Sequence, residues 1–167
     1  MRCRSRVVPG DGAVPADVAF VGLAPGRFGG DRTGIPFSGD RSGDLLRLMI
    51  QRAGLKRVFI TNLVRCNPQD AKGRNRDPHP DEIAACRSHL EFELGLVRPR
   101  IVACLGRIAW AELAGRDQPF DPSRPQLIGV GTLCLFPMYH PAYINRGAYS
   151  RRSYASHFRK LARFLDD

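Results

Sequence analysis

The sequence predicts an α/β protein, a three-layer α/β/α sandwich around a short, mainly parallel four-stranded sheet. Three observations carry this expectation. Apolar, β-branched runs recur along the chain, each followed by an amphipathic stretch, with no internal repeats or low-complexity segments between them. Strands separated by crossover helices make parallel sheets, and a parallel sheet must be covered on both faces. A chain of 167 residues with 43% hydrophobic content buries one full core and is too short for two ordinary domains, so residues 1–167 are expected to form a single domain.

The first strand reads Asp17 to Gly22 and is broken by Gly22-Leu-Ala-Pro-Gly26. A Gly-rich loop, Arg27 to Gly43, leads to a helix from about Asp44 to Ala53. The second strand, Val58 to Asn62, ends in a polar, Arg-rich loop that runs to Pro80. The next helix is the clearest element: Pro80 sits in its first turn, Asp81 and Glu82 complement the dipole, and Ile83, Cys86, Leu90, Leu94 and Val97 share one face. Its end feeds the strand Ile101 to Leu105, then a short helix near Ile108 to Ala114. A Pro-rich loop and a strand from about Thr132 to Met138 lead to Tyr139-His140-Pro141, and an amphipathic helix, Tyr154 to Leu165, closes the chain. Parallel α/β sheets gather their chemistry at the carboxyl ends of the strands. Gly22 to Gly26, Asn62 and His140 all follow directly on predicted strands, so three remote segments are expected at one cleft.

The charge is lopsided. Lys plus Arg number 26 against 16 Asp plus Glu, a formal +10, and Arg far outnumbers Lys. The planar Arg fork suits phosphate, so the balance favours a polyanionic partner over a membrane surface and over a basic protein with no partner. No apolar run reaches the ~18 to 20 residues that cross a bilayer, and the N-terminus lacks the order of a signal peptide, so a cytoplasmic protein with no membrane partner is expected. Five cysteines, Cys3, Cys66, Cys86, Cys104 and Cys134, are an odd number that argues against a secreted disulfide framework and leaves metal ligands or buried thiols.

Gly22-Leu-Ala-Pro-Gly26, Pro36-Phe-Ser-Gly-Asp-Arg-Ser-Gly43, Ile60-Thr-Asn-Leu-Val-Arg-Cys66 and His140-Pro-Ala-Tyr-Ile-Asn-Arg146, in this order, together resemble the iron-sulfur branch of the uracil-DNA glycosylase superfamily. Gly22-Leu-Ala-Pro-Gly26, Arg32-Thr-Gly34 and Pro36-Phe-Ser-Gly-Asp-Arg-Ser-Gly43 resemble its first motif. Ile60-Thr-Asn-Leu-Val-Arg-Cys66 resembles a strand ending in a base-reading Asn and continuing to a cluster cysteine. Asp77-Pro-His-Pro-Asp-Glu-Ile-Ala-Ala-Cys86 and Val102-Ala-Cys-Leu-Gly-Arg107 match the next helix and strand, and His140-Pro-Ala-Tyr-Ile-Asn-Arg146 resembles the second catalytic motif. The motifs of families four and five are mixed. Leu23 and Gly30 stand where family four carries acidic residues, the first motif looks like family five, and the His140 loop is closer to family four.

The resemblance implies a monomeric, monofunctional glycosylase, nucleoid-associated in the cytoplasm, that hydrolyses the N-glycosidic bond of uracil, and of other deaminated bases, in DNA. A target base must leave the duplex for a pocket that stacks on it and reads its edge. Phe37, in its Gly-rich loop, is the proposed stacking platform, and its other reading is an ordinary core aromatic. Asn62 carries a donor and an acceptor that match the N3–H and O4 of uracil and mismatch cytosine, although by position alone a strand-end Asn is more often a turn former. Bond cleavage leaves negative charge on the base and positive charge on the sugar, so each needs a stabiliser. His140 is the candidate for the base and Asp40 for the sugar, with Asp31 the competing acid in the same loop. Backbone amides of Gly22, Leu23, Ala24 and Gly26 are candidates to cradle the base oxygen or a phosphate.

Tyr143 and Ile144 are expected to project as an apolar wedge, and Arg146, Arg151 and Arg152 to grip phosphates or to form a solvated face. Cys66 and Cys86 resemble two ligands of the family's 4Fe-4S cluster and Cys3 one of an N-terminal Cys-x-x-Cys pair. The fourth ligand is not identified: it would precede Met1, so either the start is truncated or the ligand is replaced. Cys104 and Cys134 read as buried thiols, and zinc as the alternative metal lacks a Cys-x-x-Cys pair. The alternative function is a non-catalytic iron-sulfur DNA-binding module of the same fold.

Overall fold

The computed structural model describes residues 6–166. Its sheet runs β1 (Asp11–Gly12), β3 (Val58–Asn62), β2 (Val18–Gly22), β4 (Ile101–Leu105), β6 (Leu133–Met138), β5 (Ile128–Val130). The four long strands, β3-β2-β4-β6, are parallel, and both outer strands pair antiparallel. The sheet thus has six strands where four are expected from sequence. β1 and β5 hold two and three residues, too few for an alternating pattern to register, and they exist because a neighbour's unpaired edge captures them. Pro137 is tolerated in β6 because β5 pairs only with Leu133 to Leu135, so its missing N–H faces no ladder partner.

Alternation within the strands builds two cores. Val18 and Phe20 of β2 point to α2 (Arg41–Arg52) and α6 (Arg151–Asp166), where they pack with Leu46, Met49, Tyr154 and Phe158. Ala19 and Val21 point the other way, toward Leu90, Leu94 and Val97 of α3 (Pro80–Val97) and Trp110 of α4 (Arg107–Ala114). This is the three-layer sandwich. Two short helices lack any periodic signal: α1 (Gly30–Thr33) in the Gly-rich loop and α5 (Pro141–Asn145) directly after His140. The helix predicted from Asp44 begins at Arg41, because the Asp40 side chain accepts the Gly43 N–H at 2.8 Å and caps it.

α3 starts where expected. Glu82 accepts the His79 N–H at 2.8 Å and a bidentate pair from Arg76, whose hydrogen bonds hold the Glu82 carboxyl down at about 2. Farther along α3, the buried Glu93 accepts from Gly10 N, Thr61 Oγ1 and Arg65, tying the N-terminal segment and β3 to the helix. Among the described residues no helix is long and apolar enough to cross a membrane.

Removing one partner of a buried ionic cluster strands the others in low dielectric. Glu93→Ala is therefore expected to lower the unfolding free energy by about 3 to 5 kcal/mol in urea titrations. A loss below about 1 kcal/mol would show that the network contributes little.

Candidate active site

All four parallel strands end on one side of the sheet, and there the chain leaves a cleft of about 280 Å³. Its wall includes Leu23, Ala24, Gly26, Phe37, Asp40, Asn62 and His140, so the three segments expected to converge do so. At the end of β2, a Cβ on Gly22 would lie 2.5 Å from both Asn62 Oδ1 and the Phe37 ring, so only a glycine leaves that slot open.

Phe37 belongs to both of its readings: its side chain is 8% exposed and packs in the core, and its ring also lines the cleft. Its backbone sits at φ +50°, a conformation that non-glycine residues rarely adopt. Arg47 of α2 holds it there, donating from Nε to the Phe37 carbonyl at 2.7 Å and from Nη2 to that of Pro36 at 2.9 Å. Gly43 lets the helix approach, since a Cβ there would strike the Phe37 carbonyl carbon. The Phe37 and His140 rings lie 5.5 Å apart, tilted by 42°.

Asn62 is 3% exposed, and neither its Oδ1 nor its Nδ2 has a hydrogen-bond partner. An unpaired buried amide is costly and rare in folded proteins. Here it lines the cleft.

His140 caps α5 with its own ring: Nδ1 accepts the Ala142 N–H at 3.1 Å. Nδ1 is therefore unprotonated and the ring proton resides on Nε2. Burial, and secondarily the charge of Arg146, pull the imidazole down to about 4, so the ring is neutral near pH 7.

Asp40 reaches the cleft with its second carboxylate oxygen. A Cβ on Gly29 would overlap that oxygen and one on Gly26 would lie 3.2 Å from it, so both glycines make room for the carboxylate. Asp31 is buried in α1 and is not among the residues that line the cleft.

Outside the cleft, Tyr143 is 36% exposed and stacks on Tyr139 at 4.9 Å and 8°, with Tyr149 packed behind at 4.5 Å. Ile144 corrects the sequence reading. It is 3% exposed and packs into the α2/α6 core, because α5 turns it inward as Tyr143 turns outward. Arg146, Arg151 and Arg152 are exposed, with Arg151 donating to Asn145 Oδ1 at 3.3 Å.

Sequence reasoning missed Asn67, Asn75 and Asp77, which line the cleft from the Arg-rich loop. Asn67 Nδ2 donates to the Pro25 carbonyl at 2.7 Å and to Asn75 Oδ1 at 2.9 Å, and Asn75 Oδ1 also accepts the Arg27 N–H. These bonds clamp that loop onto Gly22 to Gly26. The run Asn67 to Asp77 carries no periodicity, so only its density of Asn and Arg hinted at it.

Cys3 lies outside the described residues. Cys66 is buried, Cys86 and Cys104 are buried free thiols, and Cys134 is a half-buried free thiol. Burial raises the Cys104 thiol beyond any physiological titration. No three His, Cys, Asp or Glu side chains gather as a metal site among the described residues. The described residues thus bring together fewer than the four thiolates that a 4Fe-4S cluster takes.

Fold and cleft together define an α/β protein with a sheet-end pocket that offers a paired donor and acceptor beside an aromatic face. The model of the Uracil DNA glycosylase superfamily matches residues 9–165, and the chain belongs to that superfamily. It is 35% identical to the type-4 uracil-DNA glycosylase of Sulfurisphaera tokodaii, over 95% of this chain and 74% of that protein. It is 34% identical to the type-4 enzyme of Archaeoglobus fulgidus, over 96% and 82%. The type-5 enzyme of Thermus thermophilus is 40% identical over 63% of this chain and 52% of its own length.

If the Asn62 amide is held for a ligand, removing its polarity relieves a desolvation cost. Asn62→Leu, which keeps the branched skeleton of the side chain, is expected to leave the unfolding free energy unchanged or raise it by about 1 to 2 kcal/mol in urea titrations. A loss of about 2 kcal/mol or more would show the amide to be a structural element.

Proposed function

We propose that the chain, acting as one domain over residues 1–167, hydrolyses the N-glycosidic bond of uracil in DNA and leaves an abasic site. The observation that carries this reading is the buried, unpartnered Asn62 amide facing a cleft bounded by Phe37 and His140. An extruded uracil stacks on Phe37 while Asn62 Nδ2 donates to O4 and Oδ1 accepts from N3–H. Cytosine offers the reverse pattern and would leave both groups unpaired. As the bond from C1′ to the base breaks, its electron pair stays on the base, and the His140 Nε2–H donates to the oxygen that becomes anionic. A neutral donor suits this task because it keeps its proton. Asp40 opposes the positive charge on the sugar or orients the water whose oxygen bonds to C1′. Backbone amides of Gly22, Leu23, Ala24 and Gly26 border the base.

Tyr143, braced by Tyr139, fills the gap left in the helix, and Arg146, Arg151 and Arg152 hold phosphates, so binding weakens with salt. The enzyme acts as a monomer in the cytoplasm, on the nucleoid. A 4Fe-4S cluster is part of the proposal: Cys3, Cys66 and Cys86 would hold it with a fourth ligand still to be identified, and it would order the segments that carry them.

Release of free uracil from a labelled oligonucleotide tests the activity, and DNA binding without release would point to a non-catalytic module. Asn62→Ala and His140→Ala are each expected to cost about 2 to 4 kcal/mol of barrier, with duplex affinity little changed. Asp40→Asn is expected to be strongly impaired, and a near-normal Asp40→Asn beside an inactive Asp31→Asn would move the acid role to Asp31. The likeness of the first motif to family five leads us to expect that hypoxanthine is released as well. With His140 pulled down to about 4, the excision rate should be level from about pH 5 to 8, whereas a fall through about 6.5 would mean an ordinary imidazole. The same shift predicts a stability term fully present above about pH 6.5, where the unfolded ring is also neutral, and lost as the pH falls toward about 4.

Protein purified without oxygen is expected to be brown, with about four irons per chain, and to lose iron in Cys66→Ala and Cys86→Ala but not in Cys104→Ala. Colourless, folded and active protein would remove the cluster from the account.

A further inference from the structure

Phe28 is 65% exposed, an unusual position for a large apolar ring, and the chain on both sides of it lines the cleft through Gly26 and Gly30. Its turn is fixed: the N–H groups of Gly29 and Asp31 both donate to the Gly26 carbonyl at 3.1 Å. The ring is braced as well. The Arg27 guanidinium carbon lies 4.7 Å from the ring centroid, and that guanidinium donates to the Gly73 carbonyl at 3.0 Å, while the Arg27 N–H donates to Asn75 Oδ1 at 3.0 Å. An aromatic held outward in this way has already lost the freedom that stacking would cost it.

We propose that Phe28 is a stacking platform for an unpaired base neighbouring the extruded nucleotide, and that it favours single-stranded over duplex uracil-containing DNA. The inference rests on the glycosylase reading, since it takes the cleft as the place where the DNA strand arrives. Two observations and one general rule select this occupant. The chain on both sides of the ring, at Gly26 and Gly30, lines the cleft. Its surroundings are cationic, with Arg27 beneath it and Arg32 exposed nearby, which suits a phosphate-linked base and opposes an apolar protein surface. Aromatic rings interleaved with arginines are also how sequence-independent single-strand grooves are built, with the cation strengthening the stack.

The test uses oligonucleotides carrying 2′-fluoro-deoxyuridine, whose glycosidic bond resists cleavage, as a single strand and as a duplex. Phe28→Ala is expected to bind the single strand about tenfold more weakly and the duplex within about twofold of the parent protein. Phe28→Trp should keep its affinity and show fluorescence quenched by the single strand, over the constant signal of Trp110, which is 2% exposed. Single-strand affinity within about twofold of the parent for Phe28→Ala, or an equal loss on both substrates, overturns the proposal. Uracil release by the parent protein from cleavable oligonucleotides is scored separately. A parent that releases uracil while Phe28→Ala binds normally overturns this inference alone, and a parent that releases none overturns the glycosylase reading.

Discussion

A buried amide with no hydrogen-bond partner is the constraint around which the functional end of this molecule is organised. Asn62 places a donor and an acceptor in low dielectric and satisfies neither within the protein. Such a group costs free energy comparable to a whole residue's share of folding stability many times over, and it persists only where the surrounding structure holds it open. That holding is visible. Gly22 withholds a side chain from the slot, Gly43 lets α2 close up beneath Phe37, and Arg47 fixes the Phe37 backbone at φ +50° so that its ring forms one wall. Any one of these elements alone is unremarkable local geometry. Together they line one cleft with an aromatic ring and an amide edge.

Charge is distributed to suit the same opening. The His140 side chain that lines it is neutral, because burial removes its positive charge, and the Ala142 N–H sets its tautomer. The carboxylate of Asp40 also lines the cleft, one oxygen capping α2 and the other toward Gly26 and Gly29. A neutral donor and a carboxylate in one cleft suit the proposed bond cleavage, in which the electrons leave toward the base. The carboxylates of Glu82 and Glu93 serve another purpose: each is tied by arginine and stabilises the chain behind the site.

The fold was largely legible in the sequence, and the reasons differ by element. β3 and β4 read to the residue because both faces of a central parallel strand are buried, which makes a short unbroken apolar run. α3 read equally well through Pro80, its acidic first turn and its spacing of Ile83, Cys86 and Leu90. β1 and β5 did not, since two or three residues at an edge are placed by their neighbour's ladder and not by their own pattern. Of the cleft lining, Asn62, Phe37, Asp40 and His140 were picked out because their motifs resemble those of the glycosylase superfamily, whereas by position alone Asn62 reads as a turn former. Ile144 was misjudged because α5 is a five-residue helix whose facing no sequence period reveals. Asn67 and Asn75 were missed for a related reason. Their work is to hydrogen-bond one loop to another, and the partner of a loop amide is a tertiary fact.

The central claim is that the Asn62 amide is left open for a base with uracil's donor and acceptor order. It is tested most directly by the side-chain amide resonance of Asn62, followed by NMR as uncleavable oligonucleotides with 2′-fluoro-deoxyuridine or the matching 2′-fluoro-deoxycytidine are added. The account predicts that the uridine form moves that resonance downfield, as a new hydrogen bond does, while the cytidine form leaves it in place at equal occupancy. Equal shifts with both bases, or none with uridine at saturation, would contradict it.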